Sequence, residues 1–319
     1  MAKSGIRKGT LKEKGMLFLK TVRSDMTAHG GFKWPPVGEV VEAPDWDPEP
    51  QCGGGLHGLP WGEGDGTLLD WSEGAVWVVF ESVAVDGTAS DEEAVLIDNG
   101  LKAKCRRARV LYAGTKAGAI KYLLDHGAIG HAVVGASVAA GDGCSMAVGA
   151  YGQVAVGAEG TATAGRYGQA VAGEGGRVQV GDHGVAVVGD RGTAKGDYNI
   201  VVAAGYRATA EGGGCSVVVA GDRGRAVAGY FGIVAAGHGG TAIAGDGGMA
   251  VAGDEGTAIA GDNGMAVVGR DGRASAGLHG RLVIKSRYGG VVTAVVGEGG
   301  IRPNTLYCVG ESGELEEDL

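Results

Sequence analysis

Residues Gly240–Asp271 read GTAIAGDG GMAVAGDE GTAIAGDN GMAVVGRD, four successive blocks of eight on one pattern. Extended in both directions, the frame holds from Ala136 to His279. It gives eighteen octads, with glycine at the sixth position in seventeen of them and Asp197 as the exception. The third position is apolar in every octad, and the fifth is only alanine, valine or glycine. Side chains two apart on a strand share a face, so positions three and five fill a narrow core while positions two and four point outward. The other positions carry corner chemistry, as in Gly245-Asp246-Gly247-Gly248 and Gly261-Asp262-Asn263-Gly264, where glycine and Asx residues supply positive φ. A helix does not tolerate this pattern, since each interior glycine costs it roughly 1 kcal/mol. Collagen is excluded by the absence of a G-X-Y triplet and by only 7 prolines. The repeat therefore reads as a β-solenoid.

The outward positions set the coil length. Odd octads present Val185/Val187, Val201/Ala203, Val217/Val219, Ile233/Ala235, Met249/Val251 and Met265/Val267. Even octads present Arg177/Gln179, Thr193/Lys195, Thr209/Glu211, Arg225/Val227, Thr241/Ile243, Thr257/Ile259 and Arg273/Ser275. A sixteen-residue coil with one apolar and one largely polar face follows, giving nine coils and a two-sheeted rod roughly 43 Å long at about 4.8 Å per strand. An apolar stripe of this extent needs a cover. Homodimerisation through Val185, Val187, Val201, Val217, Val219, Ile233, Met249, Val251, Met265 and Val267 is the leading expectation, ahead of the amino-terminal domain folding over the stripe. The open strand edges call for caps, assigned to a helix near Lys116–His126 within residues 115–135 and to strands within residues 281–310.

Outside the solenoid, residues 136–280, the chain changes character. All five tryptophans fall within the first eighty residues, whereas the 66 glycines concentrate after Gly127, so two kinds of core are implied. Residues 16–114 read as a small α+β domain, with strands near 16–22, 76–85, 94–97 and 102–111 around a long irregular segment. The fold class is accordingly mostly β. A basic leader over residues 1–15 (Lys3, Arg7, Lys8, Lys12, Lys14) and an acidic tail over residues 311–319 are expected to be solvated. The net charge of −9 argues against a broad nucleic-acid footprint. No apolar run is long enough to span a bilayer, and the leader lacks a signal-peptide core, so a soluble chain is expected. Five widely spaced cysteines without a C-x-x-C pair suggest reduced thiols in a cytoplasm.

The candidate chemistry lies in the irregular segment, because long loops rich in aromatics and histidine are more often functional than core. His29, Cys52, His57 and Asp70 are the catalytic candidates, with Cys52 and His57 as a nucleophile and base; no orienting third group is visible, and a structural turn ranks above that reading. Cys52, His57, His29 and Asp45 could bind zinc, but their spacings match no ligand pattern, and no metal or cofactor is expected. Gly53-Gly54-Gly55 lacks the strand–helix setting and Lys-Ser/Thr of a phosphate loop. Trp34, Trp46 and Trp61 could stack a base or sugar, though core packing ranks first. On the rod, calcium binding fits a nine-residue repeat, not eight. Flat threonine ladders could bind ice, yet Arg177, Lys195, Glu211, Arg225 and Arg273 interrupt them.

The segments Phe18-Leu19-Lys20-Thr21-Val22-Arg23, His29-Gly30-Gly31-Phe32, Cys52-Gly53-Gly54-Gly55-Leu56-His57-Gly58 and Ile301-Arg302-Pro303-Asn304-Thr305-Leu306-Tyr307 resemble an uncharacterised domain of bacteriophage and prophage proteins that precedes Ala/Gly-rich repeats. That resemblance implies a phage-derived protein acting in a bacterial cytoplasm. Its function would be non-enzymatic: a dimeric rod displaying the amino-terminal domain to a host macromolecule, such as a defence or DNA-handling protein, without direct nucleic-acid or membrane binding. The alternatives are an enzyme with its site in the amino-terminal loops and the solenoid as a dimerisation platform, or a virion spike.

Overall fold

The computed structural model describes residues 15–86, 88–90 and 94–318; the charged residues of the basic leader lie outside them. The chain divides into two compact units between Val133 and Val134. Among the described residues, the first unit is a seven-stranded sheet with one α-helix. Its strands are β1 (Leu17–Val22), β2 (Val40–Glu42), β3 (Leu56–Pro60), β4 (Val76–Ser82), β5 (Val95–Ile97), β6 (Lys102–Cys105) and β7 (Arg107–Gly114). They lie in the order β2-β7-β4-β1-β3-β6-β5, and neighbours run antiparallel. Helix α1 (Lys116–Asp125) starts at Thr115, whose hydroxyl accepts from Gly118 N, and packs on β4 and β7. One sheet face buries Phe18 stacked on Phe80 at 4.8 Å, with Trp34 4.7 Å from Phe80. The single strand expected over 102–111 is broken at Arg106, and the irregular segment holds β2 and β3, too short and too rich in glycine and proline to show a period.

The second unit is a β-solenoid of nine coils. Odd octads, from Ser137–Ala139 to Met265–Val268, form one parallel sheet, and even octads, from Ser145–Val148 to Arg273–Ser275, form the other. Pairing advances by one coil at each step, as in Val217↔Ile233 and Thr241↔Thr257. The third-position residues from Val154 onward are buried, while Val138 and Met146 of the first coil are half-buried. At the carboxyl end both sheets turn antiparallel. Arg281–Lys285 pairs with Val291–Val295, and Tyr307–Val309 pairs with Leu315–Glu317. The acidic tail expected to be solvated thus forms an edge strand, held by ion pairs from Arg302 to Glu317 and from Arg273 to Asp318.

The glycine frame has a different cause from the one the sequence suggests. All eighteen residues at position eight have φ between 52° and 67°, yet only four are glycine; the rest include Phe231, Glu255, Arg191 and Tyr167. The sixth-position glycines have no positive φ. They are glycine because the preceding coil lies against them: a Cβ on Gly165 would stand 2.7 Å from Ala150 N, and one on Gly229 would stand 2.9 Å from Gly214 N. Seventh-position aspartates add a side-chain rung. Asp142, Asp182, Asp190, Asp222, Asp246, Asp254 and Asp262 each accept a hydrogen bond from the backbone N–H one coil on, at 2.7–3.1 Å. First-position glycines make room for the fifth-position side chain of the preceding octad. Where Gly196 and Gly212 occupy position five, Ile200 and Ser216 occupy the next position one. Coil stacking is therefore tight and uniform, which keeps both faces in register.

Candidate functional site

The even-octad sheet carries two outward columns. The first runs Thr161, Arg177, Thr193, Thr209, Arg225, Thr241, Thr257, Arg273, each residue directly beside the next. The parallel ladder sets the spacing at about 4.8 Å. Threonine pairs alternate with an arginine at every third coil. Thr161, Thr193, Thr209, Thr241 and Thr257 are half-buried, and their hydroxyls make no hydrogen bond to the chain's described residues. The second column, two residues along each strand, ends in Val227, Ile243, Ile259 and Ser275.

The charges on this face are largely compensated. Lys195 Nζ lies 2.6 Å from Glu211 on the next coil, and Arg273 pairs with Asp318. Of the five charges that interrupt the threonines, only Arg177 and Arg225 have no ion-pair partner among the described residues. The opposite sheet aligns its apolar residues in two columns, through pairs such as Val185↔Val201, Val219↔Ala235 and Met249↔Met265. Val201, Val219 and Ile233 are 48%, 43% and 48% exposed, so this face is uncovered within the second unit.

In the first unit the structure gathers some of the sequence candidates. His29 and His57 line one cleft with Lys20, Trp34, Asp45 and Gly53–Gly55. Lys20, His29 and Asp70 line a second, and Lys20, His57 and Lys102 a third. Cys52 Sγ stands 3.1 Å from Lys102 Nζ, lines none of these clefts and makes no hydrogen bond to His57. Among the described residues no three His, Cys, Asp or Glu side chains form a metal-ligating group, so His29, Asp45, Cys52 and His57 are not assembled as a zinc set. Trp34 is buried in the core beneath the first cleft, Trp46 packs near Lys104, and Trp61 stacks on His131 at 5.3 Å. The sequence reading missed Lys20, Lys102 and Lys104. Lys20 interrupts the apolar run Leu17-Phe18-Leu19, and Lys104 is fully buried, with Nζ donating to the carbonyls of Gln51 and Gly53.

No family model and no solved structure matches the chain. Its repeat region is similar to bacterial ice nucleation proteins. Identity is 38% over 116 residues to InaU of Pantoea ananas, 38% over 116 residues to the protein of Enterobacter agglomerans, and 33% over 116 residues to that of Pseudomonas fluorescens. Each match covers 36% of this chain and 9–10% of the relative, so the chain spans about a tenth of the length of the curated relatives it matches.

These relatives correct the phage reading. The resemblance rested on short segments near both ends of the chain and on repeat composition, whereas the similarity found runs through the repeats themselves. The host-macromolecule role, and the placement in a bacterial cytoplasm that also leaned on the unpaired spacing of the cysteines, are overturned by the same relatives. The relatives are named for ice nucleation, which agrees with the lean away from an enzyme. Among the described residues no helix is long and apolar enough to cross a membrane.

Proposed function

We propose that the solenoid is an ice-nucleating repeat that orders water on its threonine sheet. The observation that carries this reading is the in-register column of unbonded threonine hydroxyls within a repeat region similar to ice nucleation proteins. Each threonine offers one donor and two acceptor sites at a position held by the strand, so a bound water layer inherits the sheet's spacing. The methyl groups beside them and Ile243 and Ile259 do not compete for those waters. Charges would impose their own hydration geometry, and Lys195 and Glu211 satisfy each other. Nine coils offer a small template, so freezing is expected only at deeper supercooling than for a longer array of the same coils.

The apolar sheet is proposed to hold a second copy of the chain. Eight of its uncharged strands, from Gln153–Val156 to Met265–Val268, cover roughly 500 Å² per copy at about 4.8 Å per strand and 3.3 Å per residue. That is at the lower end for a specific interface, so the dimer would be concentration-dependent.

Droplet freezing with purified full-length protein tests the water-ordering face. Wild type is expected to freeze droplets above the buffer temperature, and a Thr241→Lys, Thr257→Lys variant to lose most of that elevation while keeping its β-rich circular dichroism. Unchanged freezing in this folded variant would overturn the assignment of the face. Wild-type droplets freezing with buffer, together with no partitioning of the protein into growing ice, would overturn the function.

A further inference from the structure

The first unit carries a concentration of basic side chains without carboxylate partners, in a chain whose net charge is −9. β1 and β3 pair only over Phe18↔Pro60 and Leu19↔Leu59, and past that point Lys20 and His57 open onto the clefts described above. The cleft with Trp34 and Gly53–Gly55 has a volume of about 530 Å³, and the one that Lys102 also lines about 200 Å³. Lys102, two residues from Lys104 on β6, completes the cluster from the far side of β3. None of Lys20, Lys102 and Lys104 forms an ion pair with a described residue. Lys104 is satisfied by two carbonyls, whereas among the described residues the Lys20 ammonium has only the Trp34 ring, 5.9 Å from its centroid. Asp45 is on the cleft wall, with Oδ1 accepting from Gly55 N, and Asp70 caps Ser72 N at the far end.

A second observation concerns a residue that both clefts share. His57 Nε2 is buried without a hydrogen-bond partner among the described residues, an arrangement that is costly unless a ligand or water meets it. Burial, with the charges of Lys102, Lys20 and Lys104, lowers the imidazole to about 4, so near pH 7 the ring is neutral. A neutral imidazole has one donor and one acceptor nitrogen, and it gains a second donor on taking up a proton. Two ammonium groups lacking counter-ions, beside a nitrogen that can accept from a protonated oxygen or take a proton, suit a dianion better than a carboxylate.

We propose that the two clefts sharing Lys20 and His57 bind a small molecule carrying a phosphoryl group, with the phosphoryl among Lys20, His57 and Lys102 and the organic part along the wall formed by Trp34 and Gly53–Gly55. A phosphate monoester carries between one and two negative charges near neutrality and three acceptor oxygens, enough to meet both lysines at once. The site is independent of the ice-ordering face, and either reading can fail alone.

The test is calorimetric titration of the full-length protein at pH 7 with phenyl phosphate and with inorganic phosphate, beside acetate. Phenyl phosphate should bind saturably and quench tryptophan fluorescence, inorganic phosphate more weakly, and acetate not at all. Lys102→Gln, at the half-exposed rim where folding is not at stake, should weaken binding at least tenfold, about 1.4 kcal/mol. Lys195→Gln on the solenoid removes the same charge and should leave binding unchanged. Absence of saturable binding to wild type, or equal weakening by the two lysine variants, would overturn the site.

Discussion

Two glycines on neighbouring coils, Gly239 and Gly253, are glycine for different physical reasons. Gly239 is at position eight with φ +61°, and the nearest atom to a Cβ built on it is Arg223 Cγ at 3.5 Å. Alanine there meets no obstruction. It takes on a left-handed conformation costing about 1–2 kcal/mol, offset by about 0.4–1 kcal/mol from the stiffer unfolded chain. The net loss is about 1 kcal/mol. Gly253 is at position six without a positive φ, yet its Cβ would stand 2.8 Å from His238 N and 2.9 Å from Gly237 C. Those are backbone atoms, and Gly253 N is itself bonded to Ala236 O at 3.1 Å, so relief requires moving a coil. Overpacking of this kind costs about 1–3 kcal/mol or more, and the immobility of the neighbours puts Gly253→Ala near 3 kcal/mol. For a unit of this size each kcal/mol lowers Tm by about 2–4 °C. Differential scanning calorimetry should therefore show a drop of about 2–4 °C for Gly239→Ala and about 6–12 °C for Gly253→Ala. Equal drops, or a larger one at Gly239, would refute the idea that position six is glycine for space and position eight tolerates side chains.

Two further outcomes follow from the faces and the cleft. Light scattering over a range of concentrations should show wild type passing from monomer to dimer, and Val219→Lys, Val251→Lys staying a folded monomer throughout; identical masses at every concentration would remove the apolar sheet as an interface. In the first unit, burial and then the charge of Lys102 hold Lys20 at about 8, below its ordinary 10.5, and His57 is held at about 4 against 6.5. Both are bases with lowered folded values, so the unfolded chain holds more protons in each window. Stability of this unit should rise with pH from about 4 to 6.5 and again from about 8 to 10.5, and Lys20→Met should abolish the upper rise; denaturant midpoints across pH read both. A flat upper window in wild type would place Lys20 in water.

The solenoid was legible because its sequence period is its structural period. Once octads alternate between apolar and threonine-bearing outward pairs, two sheets and a sixteen-residue coil follow. The cause of the glycine was not legible, because the atoms that forbid a Cβ at Gly165 belong to Gly149 and Ala150, one coil back, and because the positive-φ position shows no residue preference across Phe231, Glu255 and Arg191. The lysine cluster was hidden for a similar reason. Lys20, His57 and Lys102 come from three strands that the topology sets side by side, and β3 was too short to be read as a strand. The sequence did hold one clue, a lysine where the alternation of β1 promises an interior residue. Cys52 and His57, close in sequence, make no hydrogen bond to each other; one lies in a loop and the other on β3.

The charges that argued against an ice-ordering face in the sequence look different once pairing is known. Lys195 and Glu211, sixteen apart in the same octad position, neutralise each other, while Arg273 is met by Asp318, forty-five residues away. Arg177 and Arg225 remain, and Arg225 separates Thr193 and Thr209 from Thr241 and Thr257. If ordered water is templated by contiguous threonines, Arg225 is the largest defect on the face, and Arg225→Thr joins five successive rungs from Thr193 to Thr257. Its side chain is outward, so the substitution leaves the core and the coil stacking untouched. Droplets containing this variant should freeze at a higher temperature than those with wild type, and a Lys195→Thr, Glu211→Thr pair should move freezing much less, because that charge is already cancelled. A lower freezing temperature for Arg225→Thr would mean that the arginine at every third coil belongs to the template, and the water-ordering unit would then be three coils instead of one.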